Sequence, residues 1–548
     1  RKAAKSFTAN AVLIGVLTFA SRILGLARES IAAGAYGDNP IWAAFVFAFT
    51  IPNLFRKLFG EGALSAAFIP LYAQAVRQEK AGASSPDTQL SSHDFALASV
   101  NLLCFILLSL TAVGELCLLA AYFLTDRPDY ILAIKLTAIM LPYVLLICGS
   151  AFLGAILQVH QRFAAVTATS IVLNAVLIAA IALGSRLFDF NTEAGQTRGT
   201  YLLSVAVLVS GVAQVAMLVP SLRAVGFRFR PIFHVLTPQV RKMLWLTLPV
   251  ALSAGVLQVG VMLDKAISFA LAKYPGHELL NLGFVTLPMP MAEGAAVRLN
   301  WAQYLYQFPL GVFAIALATA IFPTLAEGAL DRDKSAFRAV LRRGITASLF
   351  IGLPASVGMV VVADSAVRLM FQHGKFGPES AALTILSTRF YSAAIWAFSL
   401  QQILNRAYYA LHDTRTPLIW GIVNLVINLV VELPLLWTPL GEAGMAVGTL
   451  VSFAIQSLVM TWALSRRLGG LGLSAELRPV TVMTLASLFM GLACYAVTTL
   501  PGLPTAPNKL TWATLLGLQM ITGIVVYAGL CQLGGVNVLS FLRRRKAM

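Results

Sequence analysis

Two arginines, Arg22 and Arg28, interrupt an otherwise apolar stretch, Thr18-Phe-Ala-Ser-Arg-Ile-Leu-Gly-Leu-Ala-Arg-Glu-Ser30. An arginine at the centre of a membrane helix costs about +2.5 to +3.5 kcal/mol on insertion scales, so such a residue faces a polar cavity or a partner. A second basic pair, Arg56 and Lys57, follows in Ile51-Pro-Asn-Leu-Phe-Arg-Lys-Leu-Phe-Gly-Glu-Gly62. A guanidinium is a planar fork that donates two hydrogen bonds at once to a phosphate. The chemistry these residues suit is recognition of an anion inside a membrane.

On an ideal helix Arg22 and Glu29 lie close to one face, with Gly25 nearly between them, and Arg28 is turned from Arg22 by about 120°. Two readings stay open: a cavity lined by both arginines with Ser21 and Gly25 beside them, or an Arg–Glu pair that locks helices together. For Arg56 and Lys57 the alternatives are a mid-membrane site on a helix bent at Pro52 and loosened by Gly60 and Gly62 around Glu61, or basic side chains snorkelling from a helix end.

The elements that must position these residues are membrane helices. The 548 residues are 58% hydrophobic and 11% charged, with a mean hydropathy of +0.80, which excludes a soluble domain. Apolar runs long enough for about 30 Å of hydrocarbon fall at 8–30, 41–72, 95–124, 131–158, 163–184, 200–222, 242–272, 301–328, 343–363, 381–410, 416–437, 443–465, 479–500 and 512–535. The first reads as a retained helix, since arginines interrupt it and no cleavage site follows. Fourteen spans put both termini on one side. With that side cytoplasmic, inward segments hold twenty-four Lys and Arg and outward loops eight, a positive-inside bias. The net charge of +17 is therefore topological and does not point to nucleic acid.

A weak internal echo pairs Trp42-Ala-Ala-Phe and Phe-Ile-Pro70 with Trp301-Ala-Gln-Tyr and Ile-Phe-Pro323. His160-Gln-Arg162 with Asn174 likewise pairs with His412-Asp-Thr-Arg415 and Asn424. Each pair is six spans apart, which implies a parallel repeat. The expected organisation is an all-α polytopic membrane protein: an N-terminal lobe over 1–235, a C-terminal lobe over 236–470, and two appended helices with a basic cytoplasmic tail over 471–548.

A second polar cluster comprises Asp264 and Lys265 on span seven, Asn424, Asn428 and Glu432 on span eleven, and Thr449 on span twelve. The i, i+4, i+8 spacing puts the span-eleven residues on one face. Asp264, Asn428, Glu432 and Thr449 offer oxygens for a sodium ion or a proton relay; interhelical hydrogen bonding is the alternative. No P-loop, GxGxxG or HExxH occurs, and the five cysteines lack metal-ligand spacing. No cofactor is expected beyond a coupling Na+ or H+, and no resident metal.

Ser21-Arg-Ile-Leu-Gly-Leu-Ala-Arg28, Phe49-Thr-Ile-Pro-Asn-Leu-Phe-Arg-Lys-Leu-Phe-Gly-Glu-Gly-Ala63, Gly154-Ala-Ile-Leu-Gln-Val-His-Gln-Arg-Phe163, Phe371-Gln-His-Gly-Lys-Phe376 and Arg406-Ala-Tyr-Tyr-Ala-Leu-His-Asp-Thr-Arg-Thr-Pro417 resemble the MurJ (MviN) family. The resemblance implies a fourteen-helix, two-lobed fold of the multidrug/oligosaccharidyl-lipid/polysaccharide exporter superfamily. It also implies a non-enzymatic flippase in the bacterial inner membrane that moves lipid II to the outer leaflet by alternating access. A flippase for another undecaprenyl-diphosphate-linked sugar and a non-transporting scaffold of cell-wall synthesis are the alternatives. The implied partners are the lipid-linked substrate, membrane lipids and cell-wall synthesis proteins. By the resemblance, Arg22, Arg28 and Arg56 engage the diphosphate, with Glu61 an acidic neighbour. The chain departs from the family pattern at Ala43, where an Asp is usual, and at Tyr304, where an Arg is usual. A substitute cation is expected, Arg298 before Lys265, with capping of the 273–300 loop as the other role for Arg298.

Overall fold

A computed structural model describes residues 2–60, 63–81, 91–230, 236–281, 283, 285–331, 333–500 and 508–536. Glu61 and the basic tail from 537 onward lie outside the described residues. Two compact units divide at Ala270/Leu271.

The first unit contains α1 (Lys2–Tyr36), α2 (Pro40–Phe55), α3 (Ala63–Lys80), α4 (Ser92–Phe123), α5 (Pro128–Met140), α6 (Tyr143–Val159), α7 (Phe163–Leu187), α8 (Glu193–Ala224) and α9 (Pro238–Ala270). The second opens with a short antiparallel hairpin, β1 (Leu279–Asn281) and β2 (Thr286–Pro288), with Leu280 opposite Leu287. It continues with α10 (Ala295–Pro309), α11 (Ile315–Gly328), α12 (Ser335–Phe371), α13 (Pro378–Ala393), α14 (Ile395–Ala410), α15 (Arg415–Leu436), α16 (Ala443–Arg467), α17 (Leu477–Val497) and α18 (Lys509–Leu533).

Each apolar run of the sequence falls on one helix or on consecutive helices. Nine helices among the described residues are long and apolar enough to cross a membrane, or ten if α5 and α6, bent by 42°, form one span. The chain is a multi-pass membrane protein. Polarity is arranged accordingly: Phe105, Leu116 and Phe123 of α4 are exposed, while Gln214, Gln401, Gln456 and Gln519 are buried. Apolar side chains can face lipid, but a polar group there lacks a partner and is sequestered inside.

The two units repeat local backbone devices. Both α2 and α10 run into a π-helical turn, at Arg56–Gly60 and Leu310–Ala314, before α3 and α11. Both α6 and α14 end in a left-handed residue, Gln161 at φ 61° and His412 at φ 58°. The next residue then bonds back five positions, Arg162 N to Leu157 O at 2.9 Å and Asp413 N to Tyr408 O at 2.9 Å. This is the Schellman arrangement, which satisfies carbonyls left open at a helix C-terminus. α9, placed in the second lobe by the repeat reading, packs against α2, α3 and α4 within the first unit.

Close helix approach depends on glycine at specific points. A Cβ at Gly448 of α16 would stand 2.8 Å from the Glu432 Cβ and 3.1 Å from the Asn428 carbonyl oxygen of α15. One turn earlier, a Cβ at Gly444 would lie 3.0 Å from the Leu435 backbone. This Gly-x-x-x-Gly spacing lets the two backbones meet, as small residues do in membrane helix pairs. The appended α17 and α18 pack on α12, where Ser365 Oγ donates to Gln519 Oε1 at 3.0 Å.

Candidate functional site

The site in the first unit is built on α1, which runs unbroken through Gly25. Arg28 is 9% exposed and Glu29 5%. The Arg28 guanidinium donates from Nη1 to Asn174 Oδ1 of α7 at 3.1 Å and from Nη2 to Glu29. Asn174 in turn donates from Nδ2 to the Ser21 carbonyl at 3.2 Å. A Cβ at Gly25 would meet Asn174 at 3.7 Å. Ser21 and Gly25 therefore lie on the seam of α1 with α7. Arg22, seven residues before Glu29, is half-buried. The carboxylate is paired with Arg28, the arginine that ideal helical geometry turned away from Arg22. A flexible arginine side chain can fold back onto its neighbour, which a helical wheel does not convey.

The opposing surface is α2. Asn39 caps it, accepting from Trp42 N at 2.9 Å, and Pro40 supplies a preset φ for the first turn. Stacked rings run along it: Tyr36–Trp42 at 4.6 Å, Trp42–Phe45 at 4.9 Å and Phe45–Phe49 at 5.9 Å. The Arg28 guanidinium lies 5.9 Å from the Phe49 ring centre, within cation–π range. Past Pro52 the hydrogen-bond ladder changes register and Arg56 opens the π-helical turn. Such turns insert one extra residue and re-aim the side chains beyond it. Arg56 is half-buried and Lys57 exposed. The π-helical turn that Arg56 opens packs against α6.

Lys265 of α9 is 7% exposed. Its ammonium interacts electrostatically with Asp264, with Glu29 and with Lys57. The first unit thus carries Arg28 and Glu29 on α1, Asn174 on α7, Lys57 in the π-helical turn after α2, and Lys265 on α9. Asn174 is the residue whose role the sequence did not reveal; only its position in the internal echo marked it.

Arg298 takes the capping role that was its alternative. Expected to reach toward a ligand in place of the charge missing at Tyr304, it is bound to Glu442 in the second unit. Nε donates at 2.9 and 3.1 Å and Nη2 at 2.6 Å to that carboxylate, while Nη1 donates to the Glu293 carbonyl at 2.7 Å. Both side chains are 3% exposed. The guanidinium joins the start of α10 to the start of α16 and caps the preceding loop.

Of the expected cation-site residues, Asn428 and Glu432 come together where α15 meets α16 at Gly448, Glu432 is fully buried, and the buried Thr449 follows Gly448 on α16. The Thr449 hydroxyl donates to Met445 O at 3.0 Å, which leaves its oxygen lone pairs as acceptors. Asp264 belongs to the first unit, where its Oδ1 is buried and accepts no hydrogen bond among the described residues.

Long apolar helices, two of them running into π-helical turns, with Arg28 buried in α1 and Arg56 opening the first turn, define a polytopic membrane protein. The fold resembles a solved structure described as "Lipid II flippase MurJ, inward closed conformation", with a TM-score of 0.71 and 21% identity over 95% of this chain and 98% of that one. It also resembles an inward-facing multidrug resistance MATE family transporter of the MOP superfamily, with a TM-score of 0.60 and 14% identity over 84% and 98%. The family described as "Lipid II flippase MurJ" matches residues 32–510; the chain belongs to that family. Curated relatives named "Probable lipid II flippase MurJ" include one from Rhizobium tropici, 28% identical over 98% of this chain and 96% of its own length. Another, from Vibrio cholerae, is 28% identical over 98% and 95%.

Proposed function

We propose that this protein is a lipid II flippase, carrying the lipid-linked peptidoglycan precursor from the cytoplasmic to the outer leaflet of the bacterial inner membrane without making or breaking a bond. The observation that carries the reading is Arg28: a buried guanidinium inside an apolar helix, backed by Asn174 and answered by a carboxylate on the next residue. The adjacent carboxylate offsets the cost of holding that charge in the membrane, and an incoming diphosphate can take its place, since phosphate oxygens match the same planar fork. Arg22 and Arg56 extend the basic surface for the head group, and membrane lipid surrounds the polyprenyl tail.

Sodium or proton coupling through Asp264, Asn428, Glu432 and Thr449 belongs to the same proposal. It is supported by the buried Asp264 oxygen that accepts no hydrogen bond among the described residues, and by the fully buried Glu432. The paired π-helical turns and left-handed helix ends support a repeat of lobes 1–235 and 236–470, with 471–548 appended. Both termini are cytoplasmic in this reading, on the strength of the basic-residue bias, and cell-wall synthesis proteins are its protein partners.

Complementation tests the function. A bacterium depleted of its own lipid II flippase is expected to grow when supplied with this chain, and not with its Arg28→Ala form at equal membrane abundance. Failure of the parent chain to support growth, although inserted, would count against the proposal.

A further inference from the structure

Two apolar runs of the sequence are broken along their length. The run at 131–158 becomes α5 and α6, and the run at 381–410 becomes α13 and α14. The first break is written into the chain: Pro142, which has no N–H to donate, precedes the first residue of α6, and the two helices are bent by 42°. The second has no such cause. From Glu379 to Thr416 there is neither proline nor glycine, and Ala393, Ala394, Ala397 and Leu400 favour an unbroken helix. The ladder is nevertheless interrupted at Ala394, whose N–H reaches Tyr391 O at 3.2 Å, three residues back. The Trp396 N–H, which a continuous helix would give to Ser392 O, donates instead to Ser356 Oγ of α12 at 2.9 Å. A side chain inserted into the ladder is a sufficient cause of a break where proline is absent. Glycine brings α12 close enough for this. One turn before Ser356 on the same face, a Cβ at Gly352 would stand 3.0 Å from the Trp396 Cα.

We infer that the break between α13 and α14 is a conditional hinge of the second unit, held by Ser356 and closing into one continuous helix when α12 withdraws. The two forms exchange one hydrogen bond for another. Ser356 Oγ satisfies the Trp396 N–H in the broken form and Ser392 O satisfies it in the continuous form, so neither leaves a buried donor without an acceptor. The α5–α6 break has no second form of this kind, because Pro142 supplies no N–H. One span of the second unit therefore changes its course with the position of α12, while the proline-broken span of the first unit keeps its shape. The inference goes beyond the flippase reading and does not depend on which cargo is carried.

The test is the distance between spin labels at positions 382 of α13 and 409 of α14, both exposed, in the full-length chain in lipid nanodiscs. The labels are carried on a keto amino acid, so the five native cysteines stay in place. A continuous helix sets the two positions about 40 Å apart along its axis. The parent is expected to show a shorter distance, Ser356→Ala a shift toward that length, and Ser356→Thr, which keeps the hydroxyl, the parental value. Should Ser356→Ala fail to accumulate, Gly352→Ala drives α12 from Trp396 by its added Cβ and is expected to give the same shift. Ala394→Pro stands just before α14 as Pro142 stands just before α6. It is expected to keep the short distance in the Ser356→Ala background, and alone to lower lipid II exposed on the outer face of cells several-fold at equal abundance. A parental distance in Ser356→Ala would show an intrinsic break, and full exposure with Ala394→Pro a static one; either result overturns the inference. Absence of exposed lipid II with the parent chain would count against the flippase reading, while the distances still decide the hinge.

Discussion

Arg28 Nη1 donates to Asn174 Oδ1 at 3.1 Å across the seam of α1 and α7, and the amide nitrogen of the same Asn174 reaches the Ser21 carbonyl at 3.2 Å. One side chain thus fixes a guanidinium and a backbone position at once. Asn174→Leu is expected to lower affinity for a diphosphate lipid several-fold without reducing membrane abundance. Asn174→Asp keeps the acceptor and should retain the fold, but its added negative charge competes with the ligand at Arg28. Equal affinity in the parent and leucine variants would remove Asn174 from the site.

The π-helical turn separates two neighbouring basic residues into different environments, Arg56 half-buried and Lys57 exposed. Arg56→Ala is expected to abolish flipping, and Arg56→Lys to recover part of it, since the charge remains but the bidentate fork is lost. Lys57→Ala should retain most activity. The check is lipid II accessibility on the outer face of cells in which each variant is the sole flippase; a more severe Lys57 phenotype would reverse the assignment.

Arg298 and Glu442 form a buried pair, so removing one member leaves a charge without its counterion. Either Arg298→Gln or Glu442→Gln should destabilise the second unit by about 3–5 kcal/mol. Replacing both by apolar residues should restore much of the loss. Thermal unfolding in detergent reads this directly. An Arg298→Gln variant of parental stability but lost substrate affinity would return Arg298 to the ligand.

At Gly448 the approach of α16 to α15 leaves no room for a side chain. Gly448→Ala pushes a Cβ against the Asn428 carbonyl oxygen, a backbone atom that cannot swing aside, and is expected to cost about 1–3 kcal/mol. Unfolding temperature and any sodium or proton dependence of transport should fall together, because Asn428 and Glu432 sit at that contact.

In the turn between α14 and α15, Asp413 accepts from Thr416 N at 3.0 Å, from Thr416 Oγ1 at 2.8 Å and from Arg467. Burial pushes its carboxyl up, but these hydrogen bonds and the Arg467 charge outweigh it and hold the group below the usual carboxylate range. A carboxyl depressed by folding stabilises the folded state above its unfolded value, about 3.9, and that contribution disappears as pH falls through the lower folded value. Asp413→Asn should therefore lower unfolding temperature near neutral pH and narrow the difference from the parent below about pH 4. A constant difference across that range would contradict the assignment.

Hydropathy made the helical segments legible, because each apolar run had to become a helix or a broken helix. The cost of buried arginine singled out Arg28 in the same way. Periodicity located faces but not which helices those faces meet. Asn174 therefore went unassigned, and Glu29 was aligned with Arg22 although it pairs with Arg28. The 144 residues separating Arg298 from Glu442 hid the pair that occupies Arg298. The first π-helical turn was legible only as the disturbance expected around Pro52 and Gly60, and the second, at Leu310–Ala314, was not legible, since an extra backbone residue in a helix leaves no periodic signature of its own.

If the basic site of the first unit carries the diphosphate of lipid II across the membrane, removing its buried guanidinium must stop the lipid from appearing outside. The quantity to measure is lipid II exposed on the outer face of cells depleted of their own flippase and supplied with this chain or its Arg28→Ala form. Exposed lipid II with the parent chain, and its accumulation inside with equally abundant Arg28→Ala, is the expected result. Equal exposure with both would contradict a transport role for this site.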